Sequence, residues 1–244
     1  MACSFTLQHY REILENALKS GYEFRGFHQS FSPQKRTLYL RHDLDICLEE
    51  ALEMATLEAE LGIRATYFVL INSPIYNLLA DDSLELLHYI IKKGHWIGLH
   101  VDPALLPTDD ADKMERYISK LIEFYGDIIP LVPVVSFHRP TPNVLGRDFD
   151  SFISTYSSPF FKKIKYISDS NGVWREGCPC QVLRQGTYPA LQILVHPIWW
   201  RSSEKEGIND RLHYLLNKRF ERFKKYLGAN IEPIGKLFKV EGVR

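Results

Sequence analysis

Asp43 and Asp45 stand two residues apart in "LRHDLDI", residues 40 to 46, at the end of an otherwise apolar run. In a strand, positions i and i+2 share a face, so Arg41, Asp43 and Asp45 point one way while His42 and Leu44 point the other. Two carboxylates so close disfavour joint ionisation unless a cation lies beside them, and either Arg41 or a divalent metal would serve. On the arginine reading, Asp45 could instead cap a helix beginning near residue 46. His100 closes "HWIGLH" and can offer an imidazole, and Asp102 can orient that ring or bind a metal itself. His138 and Arg139 end another apolar run, Asp169 ends a third, and His196 ends the last. Such groups ligate metals or move protons.

The elements that position these residues alternate. A helix is expected over 5 to 19, then a strand over 37 to 43 and a helix over 48 to 62 closed by Gly62. A strand over 64 to 71 precedes a helix capped by Ser83 and stopped at Gly94. A strand over 95 to 101, a helix from about Thr108 to Gly126, and strands over 132 to 139, 165 to 170 and 191 to 197 follow, with a long basic helix over roughly 205 to 227. Residues 72 to 82 and 171 to 190 read as loops. Parallel strands joined by helices fit a barrel or a doubly wound open sheet. Polar residues recur at the C-terminal ends of the strands, where a (β/α) barrel assembles its active site, and no Gly-rich phosphate loop is present.

The order of "RHDLD", "GHWIGLH", "FHRP", "SDSNGVW" and "LQILVHP", spanning about residues 37 to 200, resembles the motifs of the polysaccharide deacetylase superfamily, the NodB-homology metal-dependent carbohydrate esterases. The pattern looks closest to an intracellular, WbmS-like branch associated with bacterial surface-glycan gene clusters. The resemblance implies a distorted (β/α)7 barrel, one domain over 1–244, that binds one divalent metal, commonly zinc, and removes an N- or O-acetyl group from a sugar. It makes Asp43 the general base, Asp45 and His100 metal ligands, Arg139 (with Pro140) the residue that orients the base, and His196 the general acid. Asp169 and Trp174 resemble the pair that lines the acetyl pocket and supports catalysis. The family's second metal histidine falls four residues after the first, and here that position is Ala104. His138 is the first candidate to replace it and Asp102 the second. Leu44-Asp45 likewise stands where an adjacent Asp-Asp pair is usual. The rival reading is a barrel without catalysis that binds a sugar or serves assembly.

Composition narrows the partners. Of 244 residues, 45% are hydrophobic, and 30 Lys and Arg balance 30 Asp and Glu, so no global field draws nucleic acid or an anionic membrane. Gln8, His9, Arg11 and Glu12 stand where a signal peptide needs its apolar core, and no run approaches a membrane span, so a cytoplasmic location is expected. That compartment favours an acetylated sugar or glycan precursor over finished wall polymer. Cysteines 3, 47, 178 and 180 read as reduced thiols. The basic C-terminal helix reads as a packing helix with a solvated face.

Overall fold

The structure, a computed structural model, describes residues 4–29, 35–106, 110–201 and 207–238. Two compact units make up the chain, Met1–Trp200 and Arg201–Arg244. The second consists of the helices α7 (Ile208–Asn230) and α8 (Glu232–Phe238), which pack on each other. The expected basic helix over 205–227 is thus displaced by three residues to 208–230, and residues 202–206 lie outside the description.

The first unit is built on a parallel sheet. Its strands are β1 (Glu23–Phe24), β2 (Thr37–Leu44), β3 (Thr66–Leu70), β4 (Trp96–Val101), β5 (Leu131–Phe137), β6 (Ile153–Ser154), β7 (Lys165–Ser168) and β8 (Ala190–Val195). Seven of them run in the order β6-β5-β4-β3-β2-β8-β7, and β1 pairs with β2. Helices α1 (Leu7–Lys19), α2 (Ala51–Glu60), α3 (Asp81–Lys92), α4 (Ala111–Gly126), α5 (Ser158–Phe161) and α6 (Pro179–Gln185) connect or flank the strands. Thr6 caps α1 by accepting from the His9 amide, and Asp110 caps α4 by accepting from Asp112 and Lys113.

In a flat sheet, β8 and β6 would lie five strand spacings apart, roughly 24 Å. Yet Gln192 of β8 donates to the carbonyls of Thr155, just past β6, at 3.1 Å and of Phe160 at 2.9 Å. The sheet is therefore curled upon itself into a distorted (β/α) barrel. Strand alternation stacks its interior in layers. Phe27, Tyr39, Phe68, Val134 and Phe160 form an apolar floor. Above them lie the polar side chains of Arg41, Ser136, Thr155 and Gln192, all buried. Gly98 is where the interior admits no side chain, since a Cβ would meet the Phe68 ring at 2.6 Å and the Val134 carbonyl at 2.7 Å.

Three local expectations are corrected. Helix α3 starts at Asp81 with Ala80 as N-cap, so Ser83 is inside it. Asp45 caps no helix, because α2 begins only at Ala51, after Glu50. The supposed loop 171–190 contains α6, which is opened by Pro179 and closed by Gly186 at a φ of 59°.

Candidate metal centre and its surroundings

The strand ends converge on one cleft of about 270 Å³. At its base, Arg41 donates to Asp43 through two parallel hydrogen bonds, Nε to Oδ1 at 2.8 Å and Nη2 to Oδ2 at 2.7 Å. The guanidinium also reaches Thr155 Oγ1 at 2.9 Å, Tyr156 Oη at 3.1 Å and Ser136 Oγ, so nearly all its donors are used. Burial pushes the Asp43 carboxyl up, but the Arg41 charge, helped by His100, more than reverses this and holds it below the usual carboxylate range.

Beside Asp43, three ligand-type atoms meet. Asp45 Oδ1 lies 3.1 Å from His100 Nε2 and 3.4 Å from His138 Nδ1, and the two nitrogens are 3.2 Å apart. His100 Nδ1 faces the Ser136 carbonyl at 3.1 Å, an acceptor only, so that nitrogen carries the proton and Nε2 presents a lone pair. Asp45 Oδ1 is buried and has no hydrogen-bond partner. A tetrahedral ion with ligands about 2.0–2.1 Å away separates those ligands by about 3.3 Å. The observed triangle has that size. Asp45, His100 and His138 therefore fit a divalent metal.

Across the cleft, Asp169 is fully buried and takes three donors: the His196 backbone amide at 3.0 Å, His196 Nδ1 at 2.6 Å and Trp200 Nε1 at 3.0 Å. This fixes the imidazole with Nε2 toward the cleft, 3.8 Å from Asp45 Oδ2. Burial lowers the His196 pKa, but the Asp169 hydrogen bond and charge, with Asp43 and Asp45 behind them, raise it to about 9.

Asp43, Asp45, His100, His138 and His196 are thus together in one cleft, with Asp169 behind His196. Two expected partners make other contacts: Arg139 lines the cleft but pairs with Asp102, and Trp174 lies outside the lining. Arg139 does not touch Asp43: its backbone takes a φ of 47°, and its exposed side chain donates to Asp102 Oδ2 at 2.6 Å. Arg41, two residues before Asp43 on the same strand face, holds the carboxylate instead. Trp174 is not among the residues lining the cleft and packs against Phe5 and Trp200, with ring centroids 6.0 and 6.2 Å away; Trp199 lines the cleft. Asp102, the other candidate ligand, is not among the residues lining the cleft; its Oδ1 caps the turn at Ala104 N and its Oδ2 holds Arg139.

Several solved structures are similar to this chain. A family 4 carbohydrate esterase from Bacillus anthracis is 15% identical over 86% of this chain and 85% of its own, with a TM-score of 0.39. The Bc1960 peptidoglycan N-acetylglucosamine deacetylase is 17% identical over 84% of this chain and 89% of its own, with a TM-score of 0.45. BA3943 from Bacillus anthracis, a CE4 family pseudoenzyme, is 15% identical over 82% and 64%, with a TM-score of 0.44. No family model and no curated protein matches the chain. The functional reading rests accordingly on the side chains of this chain.

Proposed function

We propose that the protein is a metal-dependent hydrolase that removes an acetyl group, by this reading an N-acetyl group, from a sugar or glycan precursor. The observation that carries this reading is the convergence of Asp45, His100 and His138 between an ionised carboxylate and a positioned imidazole. A divalent ion held by these three residues, zinc by the chemistry of the donor set, would supply Lewis-acid activation of a water and of the acetyl carbonyl. Asp43, kept ionised by Arg41, accepts the proton of the attacking water. His196, held by Asp169 with Nε2 facing the cleft, donates a proton to the departing amine. The products are acetate and an amino sugar. Trp199, half-buried on the cleft wall, provides a surface for a sugar ring. None of the helices among the described residues is long and apolar enough to cross a membrane. By the same reading the activity is cytoplasmic, on a precursor for bacterial surface polysaccharide, in a WbmS-like role.

Acetate release from acetylated amino-sugar precursors, assayed beside metal content for wild type and Asp43→Asn, tests the proposal. Turnover lost in the variant with metal retained is expected. Metal retained in both without any acetate release would replace the enzyme by a sugar-binding barrel.

A further inference from the structure

The Cys-Pro-Cys stretch takes no part in the cleft, yet the structure brings it a third donor from far away in the chain. His9 lies on α1, Cys178 is the N-cap of α6, and Cys180 sits in the first turn of that helix. One donor atom from each comes within 4.8 Å of the others, and His9 Nε2 is 3.4 Å from Cys178 Sγ. A tetrahedral zinc with sulfur about 2.3 Å and nitrogen about 2.0 Å away separates such a pair by about 3.5 Å. His9 Nδ1 faces Glu12 Oε2 at 3.3 Å, which places the proton on Nδ1 and turns the Nε2 lone pair to the sulfur. A carboxylate behind an imidazole is the usual way a metal-binding histidine is oriented. Asn16 Nδ2 donates to Cys180 Sγ at 3.6 Å, a contact that favours the thiolate. His9 and Cys178 are only half-buried, so an ion can enter from solvent.

We propose that His9, Cys178 and Cys180 form a second metal site, selective for a thiophilic divalent ion such as zinc. The soft donor set distinguishes it from the oxygen and nitrogen ligands of the cleft. An ion there ties α1 to α6, which pack on each other, and so fastens the N-terminal helix to the segment between Asp169 and β8.

The test uses the full-length protein, reduced and stripped of metal, titrated with Co²⁺ and then with Zn²⁺. Thiolate-to-cobalt charge transfer in the near ultraviolet distinguishes this site from the cleft, since Asp45, His100 and His138 contain no sulfur. The band should saturate at one ion per chain, give way to zinc, persist in Asp45→Asn, and vanish in Cys178→Ser and Cys180→Ser with far-ultraviolet circular dichroism unchanged. His9→Gln, which leaves both thiols in place, should weaken cobalt binding at least ~10-fold. No thiolate band in the reduced wild type, or a band that survives in both cysteine variants, overturns the assignment.

Discussion

Strand β2 sends alternate side chains into two buried polar clusters. On its outer face, Glu58 of α2 accepts from Tyr10 at 2.5 Å and Tyr67 at 2.8 Å and pairs with His42 Nε2 at 2.7 Å. His95 completes that cluster: its Nδ1 accepts from the Ala65 amide at 3.1 Å and its Nε2 donates to the Ala55 carbonyl at 2.9 Å. Here the carboxylate is answered by the chain's own donors, and His42 lies flat on Tyr67 with ring centroids 4.0 Å apart. On the inner face, Asp43 is equally well answered by Arg41, but Asp45 Oδ1 meets the lone pair of His100 and has no hydrogen-bond partner. Both clusters lie in low dielectric, where an unanswered polar group is costly. In the outer cluster the carboxylate is fully answered and only the neutral ring nitrogen His42 Nδ1 has no hydrogen-bond partner, whereas in the inner one it is a carboxylate oxygen, Asp45 Oδ1, that has none and that a cation would satisfy.

Substitutions should separate the two. Asp45→Asn is expected to lose divalent metal and to cut acetyl hydrolysis by ~1000-fold or more, the equivalent of several kcal/mol of transition-state stabilisation. The metal-free variant should unfold at the same temperature as the metal-free wild type or higher, since a buried, poorly satisfied carboxylate is removed. Glu58→Gln should do the opposite. It leaves two imidazoles and two phenols around a neutral amide, with a loss on the order of 2–3 kcal/mol in urea unfolding and no change in metal content.

The outer cluster also sets a pH dependence. Burial is the main cause that keeps the His95 pKa below its ordinary 6.5, so the unfolded chain takes up that proton first as pH falls. This contribution to stability is present above about pH 6.5 and is lost as pH drops below it. Glu58 acts in the same direction further down: burial pushes its carboxyl up, but the His42 charge and hydrogen bond, with His95 and Tyr10, hold it below 4.5. Unfolding of the metal-free protein followed from pH 8 to 4 should show this acid loss, and His95→Gln should flatten its upper part between pH 6.5 and 4.5. An unchanged slope would detach His95 from the cluster's energetics. The smallest effect expected is that of Trp199→Ala, which should raise KM about 10-fold, or ~1.4 kcal/mol, with kcat nearly unchanged. Trp174→Ala should leave KM alone.

What could be read in the sequence followed from local periodicity. The alternation in "LRHDLD" assigns Arg41, Asp43 and Asp45 to one face without any tertiary information, and the curled sheet brings the strand-end His100, His138 and His196 to that face. Periodicity offers Arg41 as a partner of Asp43, whereas Arg139 is assigned to it by motif order alone. The left-handed backbone at Arg139 and its ion pair with Asp102 exist only in the folded chain. Trp174 and Trp199 differ in the same way, since which of two tryptophans faces a cleft depends on the loop after Asp169. The short elements β6 and α5 are two and four residues long, too brief to carry a period. His9 and Cys178 are separated by 169 residues, and no spacing rule joins them.

The central claim is that Asp45, His100 and His138 together hold one divalent ion. Crystals grown with zinc, measured on either side of the zinc absorption edge, test it most directly. An anomalous difference peak enclosed by Asp45 Oδ1, His100 Nε2 and His138 Nδ1, each about 2.0–2.1 Å from it, is the predicted result. A map without density there, or a zinc in the cleft that leaves His138 uncoordinated, would contradict it.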